Sequence, residues 1–106
     1  MANKQVTITV LNSDLDMSYS ASVLHVAVND SIKWNAGPNT GTFKLTFRGT
    51  SPLNEGLVLE SGGADNSATG TVKSSGVAGV YYYSVSANYT PGGTAVDPGC
   101  PEIIVR

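Results

Sequence analysis

The sequence is poor in the residue types that build most catalytic and metal-binding sites. It contains one cysteine, Cys100, and one histidine, His25. A single cysteine excludes a disulfide framework within the chain and leaves only an intermolecular bridge. A single histidine excludes zinc sites with several histidines, and any Ser-His-Asp relay would have to use His25. We therefore predict a chain that is not an enzyme and holds no metal or other cofactor.

Charge is also scarce. Charged residues make up 13% of the chain, and the six Lys and Arg are scattered singly in a sequence with a net charge of -2. Without a basic stripe to neutralise a row of phosphates, a nucleic-acid partner is not expected. A surface hydrated by hydroxyls and amides does not repel a second copy of itself. A homo-oligomer or another protein partner is therefore compatible with this composition.

Long apolar runs are missing as well. No segment approaches the roughly 20 apolar residues that span a bilayer, so membrane insertion is not expected. The N-terminus lacks the charged segment, apolar core and cleavage site of a signal peptide. The default expectation is a soluble, cytoplasmic protein. A mature fragment of an exported protein with an added Met1 would have the same features, which leaves the location open.

What the sequence does contain is typical of short β-strands joined by turns. Its 106 residues fit a single domain, residues 1–106, with 41% hydrophobic residues and twelve glycines. Alternation of apolar and polar residues is clearest where Val6, Ile8 and Val10 share one face, and again where Phe43, Leu45 and Phe47 do. We predict about seven strands, at residues 4–11, 22–28, 32–34, 42–48, 69–73, 79–85 and 103–105.

Loops rich in Gly, Pro and Asn separate these strands. The three long ones span residues 35–41, 49–68 and 86–101, and shorter turns occupy 12–16 and 29–30. Residues 17–21 are also predicted to be a loop. Short strands at this spacing, with no long helical pattern, favour a Greek-key β-sandwich.

The most specific stretch is residues 79–85, with three consecutive tyrosines. Alternation predicts that Tyr81, Tyr83 and Val85 face the core and that Tyr82 is exposed.

Three segments in fixed order resemble the cupredoxin family, small Greek-key sandwiches whose copper-bearing members shuttle electrons. Val28-Asn-Asp-Ser-Ile-Lys-Trp34 resembles the family's hairpin of a hydrophobic residue, a Gly/Asn-Asp turn and V-x-W. Gly79-Val-Tyr-Tyr-Tyr-Ser-Val85 resembles its G-x-Y-x-[YF]-x-C strand, and Pro101-Glu-Ile-Ile-Val105 its closing strand. The resemblance implies a cupredoxin-like sandwich over most of the chain.

The copper ligands of that family have no counterpart here. The resemblance places the thiolate at Val85, and a blue-copper centre also needs two imidazoles and a weak axial thioether. Non-ligating residues occupy the other positions that it implies: Asn88 or Thr90 for one histidine, Gly93 for the methionine, and Asn35, Pro38, Asn39 or Thr40 for the other histidine. The resemblance is therefore to a copper-free branch.

Four residues are candidate contacts for a ligand or an interface. His25 is predicted on a solvated or interface face, where a pH-responsive contact is an alternative to a purely structural role. Tyr82 and Tyr89 lie close to Gly/Pro loops, where aromatic rings can form a platform for sugars, peptides or another subunit. Cys100 stands in a predicted loop as an inert thiol or an intermolecular disulfide partner.

Together these features favour a non-enzymatic, copper-free cupredoxin-like module for binding or self-assembly. One alternative is a metalloprotein that binds copper or zinc through His25, Cys100, Met17 and carboxylates. Another is a small enzyme whose activity depends on His25.

Overall fold

Ten β-strands and no helix make up the part of the chain described by the computed structural model, residues 2–97 and 101–106. The strands are β1 (Asn3–Val10), β2 (Met17–Tyr19), β3 (Val23–Val26), β4 (Ser31–Ala36), β5 (Thr40–Phe47), β6 (Val58–Glu60), β7 (Ser67–Thr71), β8 (Gly79–Tyr89), β9 (Thr94–Asp97) and β10 (Glu102–Val105). The prediction of an all-β chain is confirmed.

The strands form two mixed sheets. The first has the order β2-β1-β4-β7, and the second has the order β3-β10-β8-β5-β6, with β9 also paired to β8. Each sheet contains a parallel pair, β1 with β4 in the first and β3 with β10 in the second. A tight turn cannot join parallel neighbours, so the chain repeatedly crosses between the two layers.

The eleven residues of β8 organise the second sheet. Along one edge β8 pairs with β5, with Leu45 opposite Val85. Along its other edge it pairs first with β10, where Ile103 lies opposite Tyr81, and then with β9. Because both edges are occupied, β8 is the central strand on which the outer surface of this sheet is built.

Side chains from both sheets meet in one buried cluster. At its centre, Trp34 of the first sheet donates a hydrogen bond from Nε1 to the hydroxyl of Tyr83 in the second, at 3.3 Å. The two rings meet edge to face with centroids 6.0 Å apart, and Phe47 packs against Tyr83 at 5.4 Å. Burial of this hydroxyl raises the pKa of Tyr83 to about 12.

The predicted orientation of residues 79–85 is confirmed. Tyr83 and Val85 are buried, Tyr81 is half-buried against the core, and Tyr82 is exposed. The hydroxyl of Tyr81 donates to the carbonyl of Val77 at 2.9 Å.

The turn between β3 and β4 departs from the predicted alternation. Alternation over residues 22–28 places Val28 on the same face as Leu24 and Val26, but β3 ends at Val26 and Val28 is 37% exposed. The N–H of Asp30 donates to the carbonyl of Ala27, and Asn29 adopts a positive φ of 68°. The chain thus reverses earlier than the apolar pattern indicates, because Asn tolerates this conformation in a turn.

The estimate of about seven strands was too low. The seven predicted strands occur as β1, β3, β4, β5, β7, β8 and β10, but β2, β6 and β9 lie within predicted loops. The first two have three residues each, which is too short for a recognisable period. In addition, β8 continues to Tyr89 through Ala87, whose small side chain is buried but gives little apolar signal.

Candidate functional site

The outer face of the second sheet brings exposed apolar side chains together with two of the predicted contact residues. Alternation along β8 turns Val80, Tyr82, Ser84, Ser86 and Asn88 away from the core, and the neighbouring strands present their own outward residues beside them. This surface is called the outer face below. It divides into an apolar half and a polar half along the length of β8.

The apolar half consists of Val23, Val80, Tyr82 and Ile104. The strand registers place Ile104 beside Val80, and Glu102 beside both Tyr82 and Val23. Val23, Val80 and Tyr82 are 43%, 50% and 46% exposed, so three large apolar side chains of one surface meet water. Adjacent exposed apolar side chains on one sheet face are typical of an interaction surface, whereas single ones are ordinary.

His25 borders the apolar half. It lies opposite Ile104 in the parallel pairing of β3 with β10 and is exposed. Its Nδ1 is 3.1 Å from Nη2 of Arg106, and because a guanidinium only donates, Nδ1 acts as the acceptor of this contact. The structure therefore brings His25 and Tyr82, two of the predicted contact residues, onto the same surface.

The other two predicted contact residues do not join them. Tyr89 is half-buried on the inward side of β8 and packs against the core, so its ring is not part of the outer face. Cys100 lies outside the described residues.

The polar half contains a cleft of about 350 Å³. Its side chains offer hydroxyls, an amide, one cation and one anion; they belong to Thr42, Lys44, Glu60, Ser61, Ser86 and Asn88. Lys44 lies opposite Glu60 on one side and opposite Ser86 on the other, so these three residues form a row across β6, β5 and β8.

Sequence reasoning did not single out this cleft. The shared face of Phe43, Leu45 and Phe47 leaves Lys44 pointing outward, but Glu60 and Ser86 fall within the predicted loops 49–68 and 86–101. Only the pairing of β5 with both β6 and β8 brings the three together, and that pairing is not encoded in local alternation.

The residues considered for a metal site are dispersed. Met17 lies half-buried on β2 in the first sheet, where its Sδ accepts a hydrogen bond from the Tyr19 hydroxyl at 3.9 Å, whereas His25 is on the outer face of the second. Within residues 2–97 and 101–106, no group of three or more His, Cys, Asp or Glu side chains is placed to hold a metal ion. The structure therefore does not bring Met17 and His25 into a shared site.

Most exposed carboxylates have local partners instead. Asp65 forms an ion pair with Lys33 at 3.0 Å and accepts a hydrogen bond from the Ser67 hydroxyl at 2.9 Å. The Lys33 ammonium, followed by the Ser67 hydroxyl, lowers the pKa of the Asp65 carboxyl. Asp16 accepts from the Asn12 amide at 3.2 Å within its turn. These contacts are those of turn and surface chemistry.

The described residues include no helix that is long and apolar enough to cross a membrane. Comparison of the chain with protein-family models and with curated protein sequences finds no match.

Proposed function

We propose that this chain is a copper-free, cupredoxin-like Greek-key sandwich that acts as a non-enzymatic self-assembly module. The positions of the three resembling segments support the fold assignment. Residues 28–34 form a turn and the start of β4, residues 79–85 lie in the central strand β8, and residues 101–105 lead into β10 beside it. Val85, at the position implied for the thiolate, is a buried aliphatic residue in the core.

The observation that carries the functional proposal is the exposed apolar half of the outer face. Its occupant is a second copy of this chain, bound through the same apolar half. Packing of two outer faces at the usual sheet spacing of about 10 Å removes Val23, Val80 and Tyr82 of both copies from water. The gain comes mainly from apolar burial, at about 25 cal/mol for each Å².

The size of the patch sets the strength of this association. The apolar half extends over the three strands β3, β10 and β8 and over residues 80–82 of β8, which corresponds to about 15 Å by about 10 Å. Counting both copies, contact of the apolar half alone buries about 300 Å², well below the area of a specific interface and at the scale of a transient encounter. The dimer is therefore weak and forms only at high protein concentration.

The charges around the patch do not oppose a second copy. Glu102 lies within the apolar half, between Val23 and Tyr82, whereas the Arg48 N–H donates to the carbonyl of Tyr82 and Arg106 contacts His25 at its border. The surface therefore carries both signs, and the whole chain has a net charge of only -2. A surface of one strong sign would repel its own copy, and a strongly charged partner would find no complementary field here.

Light scattering during size-exclusion chromatography tests the proposal. Between about 10 µM and about 1 mM protein, the average mass should rise from that of a monomer towards that of a dimer, with and without reductant. Val80→Lys and Tyr82→Lys should each keep the chain monomeric, because they place a charge in the contact. Leu11→Lys, at a residue that is 56% exposed outside the outer face, is the matched control and should still dimerise.

A chain that stays monomeric at the highest concentration, or dimers that persist in both lysine variants, would contradict the proposed role. The copper-free assignment has a separate test. Protein purified without chelators should contain no stoichiometric copper, and stoichiometric copper with a visible charge-transfer band would overturn that assignment.

A further inference from the structure

Hydrogen bonds hold the polar-half cleft in a fixed shape on the side of β6. Asn66, which has a positive φ of 49°, accepts from the Ser61 hydroxyl at 2.6 Å and donates from Nδ2 to the carbonyl of Gly41 at 2.8 Å. The Ser61 oxygen also accepts from the N–H of Phe43 at 2.8 Å. The loop after β6 is thus tied to β5 where its register shifts between Thr40 and Phe43. Bulges of this kind often redirect side chains beside binding sites.

A second set of hydrogen bonds fixes the end of the cleft at β8. The Asn88 Nδ2 donates to the Thr42 hydroxyl at 2.9 Å, and the Asn88 Oδ1 accepts from the Thr94 hydroxyl at 3.1 Å. Side chains from β5, β8 and β9 therefore hold one another in place. A ligand that enters the cleft meets walls that are already ordered, which lowers the entropic cost of binding.

Between these walls lies the row of Lys44, Glu60 and Ser86, whose side-chain polar groups remain available to a ligand. Among the described residues, the side chains of Lys44, Glu60 and Ser86 have no hydrogen bond or ion pair, although the row brings the ammonium and the carboxylate onto neighbouring strands. The row offers a cationic donor, an anionic acceptor and a hydroxyl within two strand spacings, about 10 Å.

The balance of charge selects the class of ligand. An anion beside Lys44 would also lie near the Glu60 carboxylate, and a cation beside Glu60 would lie near the Lys44 ammonium, so neither gains a favourable field. A neutral hydroxyl both donates and accepts, and a pair of neighbouring hydroxyls can satisfy Glu60 and Lys44 together.

We propose that this cleft is a binding site for a neutral saccharide. Its volume of about 350 Å³ fits one or two sugar rings. Glu60 accepts from one ring hydroxyl, Lys44 donates to its neighbour, and Ser86 contacts a third. Because the cleft is open to water, the dissociation constant is expected at about 1–10 mM. This site is separate from the apolar half and does not depend on self-association.

The test is a nuclear magnetic resonance titration of the ¹⁵N-labelled chain. The probes are glucose, galactose, mannose, maltose, cellobiose and lactose, with inorganic phosphate and glycine as charged comparisons. At least one sugar should give saturable shifts centred on the amides of residues 42–44, 60–61 and 86–88, and phosphate and glycine should not. Glu60→Gln and Lys44→Met should each weaken sugar binding about tenfold, the effect of losing a hydrogen bond to a charged group.

Two control variants test whether sugar binding depends on the cleft rather than on other parts of the outer face. Glu102→Gln removes a carboxylate from the same outer face outside the cleft, and Tyr82→Lys disrupts the apolar half; both should bind the sugar as the unmodified chain does. The inference is overturned if no sugar gives saturable shifts up to about 100 mM, if the shifts lie elsewhere, or if the Lys44 and Glu60 variants respond unchanged. Binding of phosphate that needs only Lys44 would also overturn it.

Discussion

Asp30 ties the start of the chain to the turn between β3 and β4. Its carboxylate is buried and accepts the N–H groups of Ala2 and Ala27, each at 2.8 Å. These two hydrogen bonds, first that from Ala27 and then that from Ala2, lower the pKa of Asp30 from its ordinary value of 3.8 and outweigh the opposing effect of burial. The ionised form is therefore part of the folded structure.

Stability should depend on Asp30 in a defined pH range. Because the pKa is lower in the folded than in the unfolded state, the stabilisation is complete well above pH 3.8 and is lost as the pH falls through the folded-state value. Asp30→Ala should cost about 2–3 kcal/mol at pH 7, since it leaves two N–H groups without their acceptor. Urea denaturation at pH 7 and pH 3 measures both effects.

The matched control for Asp30 is Asp14→Ala, which removes an exposed carboxylate and should change the free energy of unfolding by less than about 0.5 kcal/mol. The loss caused by Asp30→Ala should be smaller at pH 3 than at pH 7. An equal loss at both pH values would contradict the assigned role of the charge.

At the level of single strands, β8 combines a buried inner face with an exposed outer one. Tyr83 on the inner face accepts the Trp34 N–H, while Tyr82 next to it faces water. Period-two alternation was sufficient to predict this difference, because residues that alternate in a strand with one buried face have only two directions available. The same alternation could not predict that Val28 would be exposed, because the turn at Asn29 interrupts the strand first.

Removal of the Tyr83 hydroxyl gives a prediction for this strand. Tyr83→Phe should destabilise the chain by about 1–2 kcal/mol, because the buried Trp34 N–H loses its acceptor. Tyr82→Phe is the control on the exposed side and should be nearly neutral. A double-mutant cycle with Trp34→Phe should show coupling between residues 34 and 83, and its absence would contradict a stabilising hydrogen bond.

Tyr83 should also affect stability at high pH. Its folded-state pKa of about 12 lies above the ordinary value of 10.0, so its contribution is complete below pH 10 and is lost as the pH rises towards 12. The decline over this range should be smaller in Tyr83→Phe. Urea denaturation of both proteins between pH 10 and pH 12 measures this difference.

On the scale of the whole molecule, the outer face depends on pairing between distant parts of the sequence. His25 and Tyr82 were both identified from the sequence as candidate contacts, but their shared surface exists only because β10 lies between β3 and β8. The row of Lys44, Glu60 and Ser86 depends in the same way on β5. Local patterns predict which way a side chain points, whereas strand order decides which side chains become neighbours.

The salt dependence of the dimer dissociation constant shows whether apolar contact or charge holds the two copies together. Between about 0.1 M and about 1 M NaCl the Debye length falls from about 10 Å to about 3 Å, which screens the charges of this surface but not apolar contact. The dimer dissociation constant, measured by sedimentation equilibrium, should therefore stay constant or decrease. A clear increase would show that charges such as Arg48 and Glu102, rather than Val80 and Tyr82, hold the copies together.

The position of β10 determines when the fold can be completed during protein synthesis. The ribosome makes residues 102–105 after all the other strands, yet these residues supply the backbone partners of β3 and of the first part of β8. While they are still in the exit tunnel, the nascent chain exposes apolar core surface and unpaired strand edges, the features that promote aggregation. Folding of this domain can therefore be completed only after residues 102–105 have left the exit tunnel, and the nascent chain is most prone to aggregate before that point.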